Sequence, residues 1–239
     1  MKFMSNTFDM PRRDYGAVLY LLPFAVFALL MTLRDSETYA HVFEWLPVVG
    51  RTLPFFFLSA LLLWVFTFRG GRLQRLGVAW PDNNRTRLQQ IRWILFWAAV
   101  LLVLRVLVAV GSGPLLELLP PKISRSSPLA GNLVLLLTLL PAMWLIVIGE
   151  EVLIRGLLMG YLARLFGDTT KSWLLAVLIS ADVFGLGHMG KGEAAALGSG
   201  LGGLVYGLGF LLCRKNLWPV ILAHAAVNTL GFVGSYLGD

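Results

Sequence analysis

Cysteine and charge are both scarce in this chain. Cys213 is the only cysteine among its 239 residues, so no intrachain disulfide can form and a cysteine-based metal site is excluded. Charged residues make up 14% of the chain and hydrophobic residues 57%, with a mean hydropathy of +0.75. A composition this apolar excludes an ordinary soluble domain and indicates an integral membrane protein. Internal repeats and long linkers are also lacking, so we expect a single membrane domain over residues 1–239.

The apolar runs predict an all-α fold, a polytopic membrane bundle of about seven to eight transmembrane helices. A loop rich in proline, glycine and serine over residues 111–131 should separate the N-terminal transmembrane helices, within residues 1–110, from the rest of the chain. Pro141 is expected to kink the apolar run that follows. The predicted spans are 16–33, 52–68, 93–110, 142–166, 172–188, 194–212 and 217–237, with a shorter or tilted piece before residue 142.

Positive charge lies mainly beside the predicted spans. The formal net charge is +7, and residues 69–92 alone carry six arginines and one aspartate. By the positive-inside rule this loop is cytoplasmic, and the N-terminus lies on the same side. Membrane topology and lipid headgroups account for the basic balance, so we expect the lipid bilayer as a partner and no nucleic acid. A prokaryotic cell (inner) membrane is the expected location.

Two adjacent acids and an arginine interrupt a long apolar run. A charge near the bilayer centre costs about 2.5–3.5 kcal/mol on insertion scales, so such groups are paired, face the bundle interior or carry chemistry. Residues four apart share a helix face, so Glu151 can pair with Arg155. Glu150 is rotated away by about 100° and has no counter-charge within one turn, which suits a general acid or base. The alternative is that both acids are structural glue, hydrogen-bonded to other helices.

Two of the three histidines in the chain also fall in apolar spans. At 1.5 Å per residue, Glu150 and His188 both lie about 24 Å from the cytoplasmic side, so they could meet. His224 lies only about 13 Å from that side and matches less well, unless its helix starts deeper or the helices tilt unequally. His224 and Asn228 share a helix face and could aim two donors at an oxyanion. Taken singly, each of these residues could simply form a hydrogen bond between helices or lie at the end of a helix.

Two further charges lie within predicted spans and have no obvious partner in the sequence. Arg105 must face protein or extend its charge toward the membrane surface, and it could neutralise a buried acid. Asp182 precedes the span end that carries His188. It could orient a histidine, or it could pair with Arg105 or Arg155.

These stretches resemble the CAAX-protease and bacteriocin-processing (CPBP or Abi) family of intramembrane glutamic endopeptidases. Its motifs Glu-Glu-x-x-x-Arg, Phe-x-x-x-His and His-x-x-x-Asn are matched, in chain order, by Glu150-Glu151 with Arg155, by Phe184 with His188, and by His224 with Asn228. The resemblance places a protease-like core over residues 130–235. Asp182 is a departure from the family pattern that the motifs do not explain.

The resemblance implies an all-helical membrane fold and endoproteolysis at or within the membrane. The roles it implies are water activation for Glu150 and His188, an oxyanion site for His224 and Asn228, and structural support for Glu151, Arg155 and Phe184. The known eukaryotic activity removes the last three residues of a prenylated CAAX protein, and prokaryotic relatives are linked to peptide maturation, bacteriocin self-immunity or surface-protein processing. A membrane-embedded or lipidated protein or peptide is therefore the expected substrate, with no cofactor and no metal.

Two other readings of the same residues stay open. A zinc protease could use Glu150, His188 and His224 as ligands, since two histidines and one glutamate form an accepted zinc set. The His-Glu-x-x-His motif, which places two ligands on one helix face, does not occur. A protein without catalysis could instead use the buried charges for transport or proton relay, or keep the fold as an immunity protein. Against transport, no inverted repeat with paired interrupted helices is visible.

Overall fold

The described part of the chain is helical throughout. A computed structural model describes residues 76–78, 86–120 and 128–238, and these ranges contain no strand. Every helix except α3 is long and apolar enough to cross a membrane. The all-α class is therefore confirmed, whereas the count of seven to eight spans stays a prediction because spans 16–33 and 52–68 lie outside the described residues. The helices are α1 (Arg87–Leu116), α2 (Leu133–Leu165), α3 (Thr170–Leu186), α4 (Glu193–Leu212) and α5 (Trp218–Leu237).

Helix α1 begins at a reciprocal cap and runs further than predicted. The Thr86 hydroxyl accepts the Gln89 backbone N–H at 3.3 Å, and the Gln89 side chain accepts the Thr86 backbone N–H at 3.0 Å. This capping box satisfies donors that the first turn would otherwise leave without partners. The helix then passes through Pro114 and ends at Leu116, six residues after the predicted end at Val110, so the loop that follows begins later than expected.

The kink expected at Pro141 stays a prediction, but the separate helix start expected at residue 142 is wrong, since helix α2 is continuous there. It begins at Leu133, earlier than predicted, and continues through the proline without a separate preceding piece. A proline removes one backbone hydrogen bond, whereas a break within a bilayer would leave several backbone groups without partners. After Glu151 the helix becomes π-helical over Val152–Met159 and then α-helical over Gly160–Leu165. All eight residues of the π-helical segment are buried, and such segments are rare and frequently lie at functional sites.

A tight turn at Gly77 holds the start of α5. The Gly77 carbonyl accepts the Leu217 N–H at 3.0 Å, and Leu217 is fully buried. Gly77 has a φ of +93°, and a Cβ at this position would collide with the Lys215 carbonyl oxygen, so both conformation and space require glycine. At the other end of α5, the Gly131 N–H donates to the Tyr236 carbonyl at 2.9 Å. The beginning of α2 therefore meets the end of α5, and the two helices run in opposite directions.

Glycines allow α3 and α4 to pack with their backbones close together. A Cβ added at Gly185 would lie 2.8 Å from the Ala196 carbonyl oxygen, and one at Gly203 would lie 3.0 Å from the Ala181 Cα. Small residues are the usual means by which membrane helices approach this closely. The main hydrophobic core gathers the π-helical segment, α3, α4 and the start of α5 around this contact.

We expect Gly185→Ala to destabilise the protein by about 1–3 kcal/mol, because the added methyl group would meet backbone atoms that cannot move separately. Gly231→Ala is the matched control, since Gly231 is also helical and has no neighbouring atom within 4 Å of the added Cβ. Alanine is the better helix former by about 1 kcal/mol, so the control should be neutral or slightly stabilised. Thermal unfolding in detergent compares them, and equal melting of the two variants would contradict the close packing.

Cys213 should resist alkylation as long as the protein is folded. Its side chain is fully buried, and this desolvation raises the pKa of the thiol from 9.0 to about 12. The reactive species is the thiolate, whose fraction at neutral pH falls roughly tenfold for each unit of such a rise. N-ethylmaleimide at neutral pH should therefore label native protein very slowly and unfolded protein rapidly. Rapid labelling of the folded protein would show that the end of α4 is open to solvent.

Candidate active site

Glu151 and Arg155 form a buried ion pair where α2 becomes π-helical. Arg155 Nη1 donates to Glu151 Oε1 at 3.0 Å, and both side chains are 0% exposed. The residues are four apart, so this is the pairing that their spacing predicts. Arg155 Nη2 also reaches the Gly203 carbonyl oxygen at 3.5 Å. The pair therefore links α2 to α4 in the centre of the core.

Glu151 has a second partner that the sequence did not suggest. His224 Nδ1 lies 2.7 Å from the same oxygen, Glu151 Oε1. An ionised carboxylate only accepts hydrogen bonds, so Nδ1 carries a proton and donates it toward Glu151. No motif spacing connects two residues 73 positions apart, and only the packing of α5 against α2 brings them together. Glu151 therefore orients the His224 ring as well as neutralising Arg155.

The other nitrogen of His224 faces the two remaining polar groups of the site. Nε2 lies 3.9 Å from Glu150 Oε2 and 3.4 Å from Asn228 Nδ2. The side chains of Glu150 and His224 are each 7% exposed. At these separations, small groups bound to Glu150 and to His224 would lie next to one another. Glu150, His224 and Asn228 therefore present their polar atoms to one small region.

Two aromatic rings enclose His224. Tyr206 stacks on the imidazole with ring centroids 4.9 Å apart, and Phe184 meets it edge-on at 5.8 Å. The Arg155 guanidinium lies over both rings, 4.6 Å from the Phe184 centroid and 5.7 Å from that of Tyr206. Phe184, expected only as support, thus packs directly against the candidate histidine. Sequence reasoning missed Tyr206, because a single tyrosine in an apolar helix carries no motif.

His188 lies just beyond the end of α3 and is half-buried. Its Nδ1 is 2.8 Å from the Phe184 carbonyl oxygen, so this nitrogen donates and the lone pair resides on Nε2. The His188 and Phe184 rings are 4.7 Å apart. One phenylalanine ring therefore contacts both histidines, His188 and His224. Joint action of Glu150 and His188 on a water stays a prediction.

His224 joins the site although its depth, counted along an upright helix, matched less well than those of Glu150 and His188. Gly131 meets Tyr236, and Glu151 meets His224. From Gly131 to Glu151 the chain advances 20 residues, which is about 30 Å at the helical rise. From His224 to Tyr236 it advances only 12 residues, about 18 Å. Depths counted along upright helices therefore do not correspond between α2 and α5.

The partners suggested for Asp182 are not found. Asp182 is exposed on α3, and among the described residues it forms no ion pair. Arg155 is occupied by Glu151, and Arg105 donates through Nη2 to the Gly198 carbonyl oxygen at 3.4 Å. The suggestion failed because adjacency in the chain does not tell which face of α3 carries the carboxylate.

Within residues 76–78, 86–120 and 128–238, no three histidine, cysteine, aspartate or glutamate side chains are grouped as metal ligands. The zinc alternative requires Glu150, His188 and His224 around one ion, and it is left to a direct test of metal dependence.

One comparison with known proteins gives a match. Residues 132–230 match the family described as type II CAAX prenyl endopeptidase, Rce1-like. The matched segment begins at the N-terminal cap of α2 and ends within α5, so it contains every candidate site residue, whereas α1 lies outside it. No curated protein and no solved structure matches the chain.

Proposed function

Through residues 132–230 the chain belongs to the CAAX protease (CPBP) family, and on that premise we propose that it is a glutamic-type intramembrane endopeptidase. Its substrate is a membrane-associated, lipidated protein or peptide, which it cuts near one end. The observation that supports this most directly is the position of His224, 2.7 Å from Glu151 and 3.9 Å from Glu150. One imidazole is held by a structural acid on one side and faces a second acid on the other.

The role of oxyanion donor requires a proton on Nε2 of His224. Nδ1 already donates to Glu151, so in this role the ring acts as an imidazolium that donates from both nitrogens. The Asn228 amide nitrogen lies 3.4 Å from Nε2, so the two N–H groups can point at the same developing negative charge.

The reaction then follows from the placement of the donors and acceptors. Glu150, assisted by His188, removes a proton from a water, and the resulting hydroxide attacks the carbon of the scissile peptide carbonyl. The carbonyl oxygen becomes negative and receives hydrogen bonds from His224 Nε2–H and Asn228 Nδ2–H, which act as an oxyanion site. Glu150 then returns the proton to the departing amine, so that the peptide bond breaks and the base is restored. The Tyr206 and Phe184 rings keep His224 in place.

The test is cleavage by the purified full chain in detergent or in lipid vesicles. The substrates are S-farnesylated and unmodified versions of one peptide, offered with and without a metal chelator. Cleavage of the farnesylated peptide that survives the chelator is the expected result. Loss of activity with chelator and its return with zinc would favour the metal alternative, and absence of cleavage of both peptides would count against an endopeptidase.

A further inference from the structure

Arg105 is a charged group inside α1 that the proposed reaction does not use. It lies within the candidate membrane span Arg87–Leu116, and its side chain is only partly exposed. Its Nη2 donates to the Gly198 carbonyl oxygen at 3.4 Å, and within the described ranges no carboxylate pairs with it. Charges at such positions are expensive and are kept where they pair, conduct or bind. The guanidinium therefore has capacity for an anion.

Helix α4 leaves the space in which this guanidinium lies. A Cβ added at Gly202 would come within 2.7 Å of Arg105 Nε and 3.3 Å of its Cζ. One turn earlier on the same helix, a Cβ at Gly198 would meet only a leucine methyl group at 3.6 Å, which is ordinary contact. A methyl group at 202 would thus displace the guanidinium, whereas one at 198 would not.

Tyr206 connects Arg105 to the candidate active site. Its side chain is almost fully buried, and the Arg105 guanidinium acts on its hydroxyl through charge and a side-chain hydrogen bond, with no other described group bonded to that hydroxyl. The ring of the same tyrosine stacks on His224 at 4.9 Å. Arg105 and His224 are therefore about one tyrosine side chain apart. The hydroxyl is a second donor that a bound anion could use.

We infer that Arg105 binds the C-terminal carboxylate of the peptide substrate, with Gly202 providing the space and Tyr206 a supporting donor. The inference rests on the proposed function, in which His224 holds the scissile carbonyl. A guanidinium recognises a carboxylate through two parallel N–H bonds. An extended chain advances about 3.3–3.6 Å per residue, so a carboxylate two or three residues after the cut lies about 7–10 Å from the reacting carbonyl. Tyr206 lies between His224 and Arg105, with its ring on the imidazole and its hydroxyl at the guanidinium, so a segment of this length runs in the direction of Arg105.

The subsite is tested by binding, so that the result does not depend on turnover. Full-length protein carrying Glu150→Gln is titrated with a fluorescent S-farnesylated peptide ending in Cys-Val-Ile-Ser, prepared with a free C-terminal acid and with a C-terminal amide. The acid should bind about 10- to 100-fold more tightly than the amide, as expected for a charge-assisted hydrogen-bonded pair. Adding Arg105→Gln should remove that preference, because it weakens the binding of the acid peptide and leaves the binding of the amide unchanged.

Three further variants separate charge from folding. Arg92→Gln removes an exposed arginine from the same helix and should keep the full preference for the acid. Arg105→Lys keeps the charge but loses the two-point geometry, so it should keep part of the preference. Gly202→Ala should lower the preference by displacing the guanidinium, whereas Gly198→Ala should not. Protection of Cys213 from maleimide shows that each variant is folded.

Equal binding of acid and amide, or binding of neither, overturns the inference, and so does a preference for the acid that survives Arg105→Gln. Cleavage is measured separately in protein with Glu150 intact. Acid-selective binding without any cleavage would support the subsite and count against the endopeptidase. Cleavage that ignores the C-terminal group would support the endopeptidase and overturn the subsite.

Discussion

Glu150→Gln should lower kcat/KM for peptide cleavage by about 100- to 10,000-fold, the usual range for loss of a general acid or base. Glutamine has nearly the same shape as glutamate and stays close to His224, but it cannot accept a proton from water. Within the part of the chain that the structure describes, Glu150 has no ion-pair partner closer than the 3.9 Å contact with His224, so the fold should tolerate the change. Initial rates with a farnesylated peptide, at several substrate concentrations, give the effect on kcat and KM separately.

Glu117→Gln is the matched control for this experiment. Glu117 is exposed at the end of α1, outside the family segment, and its replacement should leave the rate unchanged. Maleimide protection of Cys213 in both variants excludes loss of fold as the cause. If Glu150→Gln cleaved at the rate of the wild type, a different group would have to activate the water, and the glutamic mechanism would be wrong.

Arg155→Met should destabilise the protein by about 3 kcal/mol, toward the lower end of the cost of breaking a buried ion pair. The cost arises because Glu151 stays fully buried with one positive partner removed. The expected loss of stability is near the lower end of that range because His224 still contacts the same oxygen of Glu151. Heat-induced exposure of Cys213 to a maleimide dye, followed over a temperature series, measures the change.

Adding Glu151→Gln to Arg155→Met should restore most of the lost stability without restoring activity. The double variant no longer buries an unpaired charge, so replacement of the whole pair can be nearly neutral. Cleavage should stay low, however, because His224 Nδ1 has lost the carboxylate that orients the ring. If the double variant were no more stable than the single one, the pair would not be the source of the effect. If it were fully active, Glu151 would have no part in orienting His224.

The sequence was sufficient for features that depend on local spacing and composition. Apolar runs predict membrane helices because the bilayer interior admits little else, and α1, α4 and α5 lie where those runs do. The pairing of Glu151 with Arg155 is equally local, since a spacing of four sets their geometry whatever surrounds them. Even so, the start of α2 was misjudged, because the local rule for proline does not include the cost of a broken helix in lipid.

The tertiary structure alone decided which residues share the site. His224 is 73 positions from Glu151, and its contact depends on how α5 packs against α2, which no periodicity records. Arg105 lies in the space that Gly202 of α4 leaves free, next to Tyr206 of the same helix. Sequence determines the faces of each helix, but side chains from different helices meet only when the angle and depth of packing are settled, and these depend on all the contacts at once.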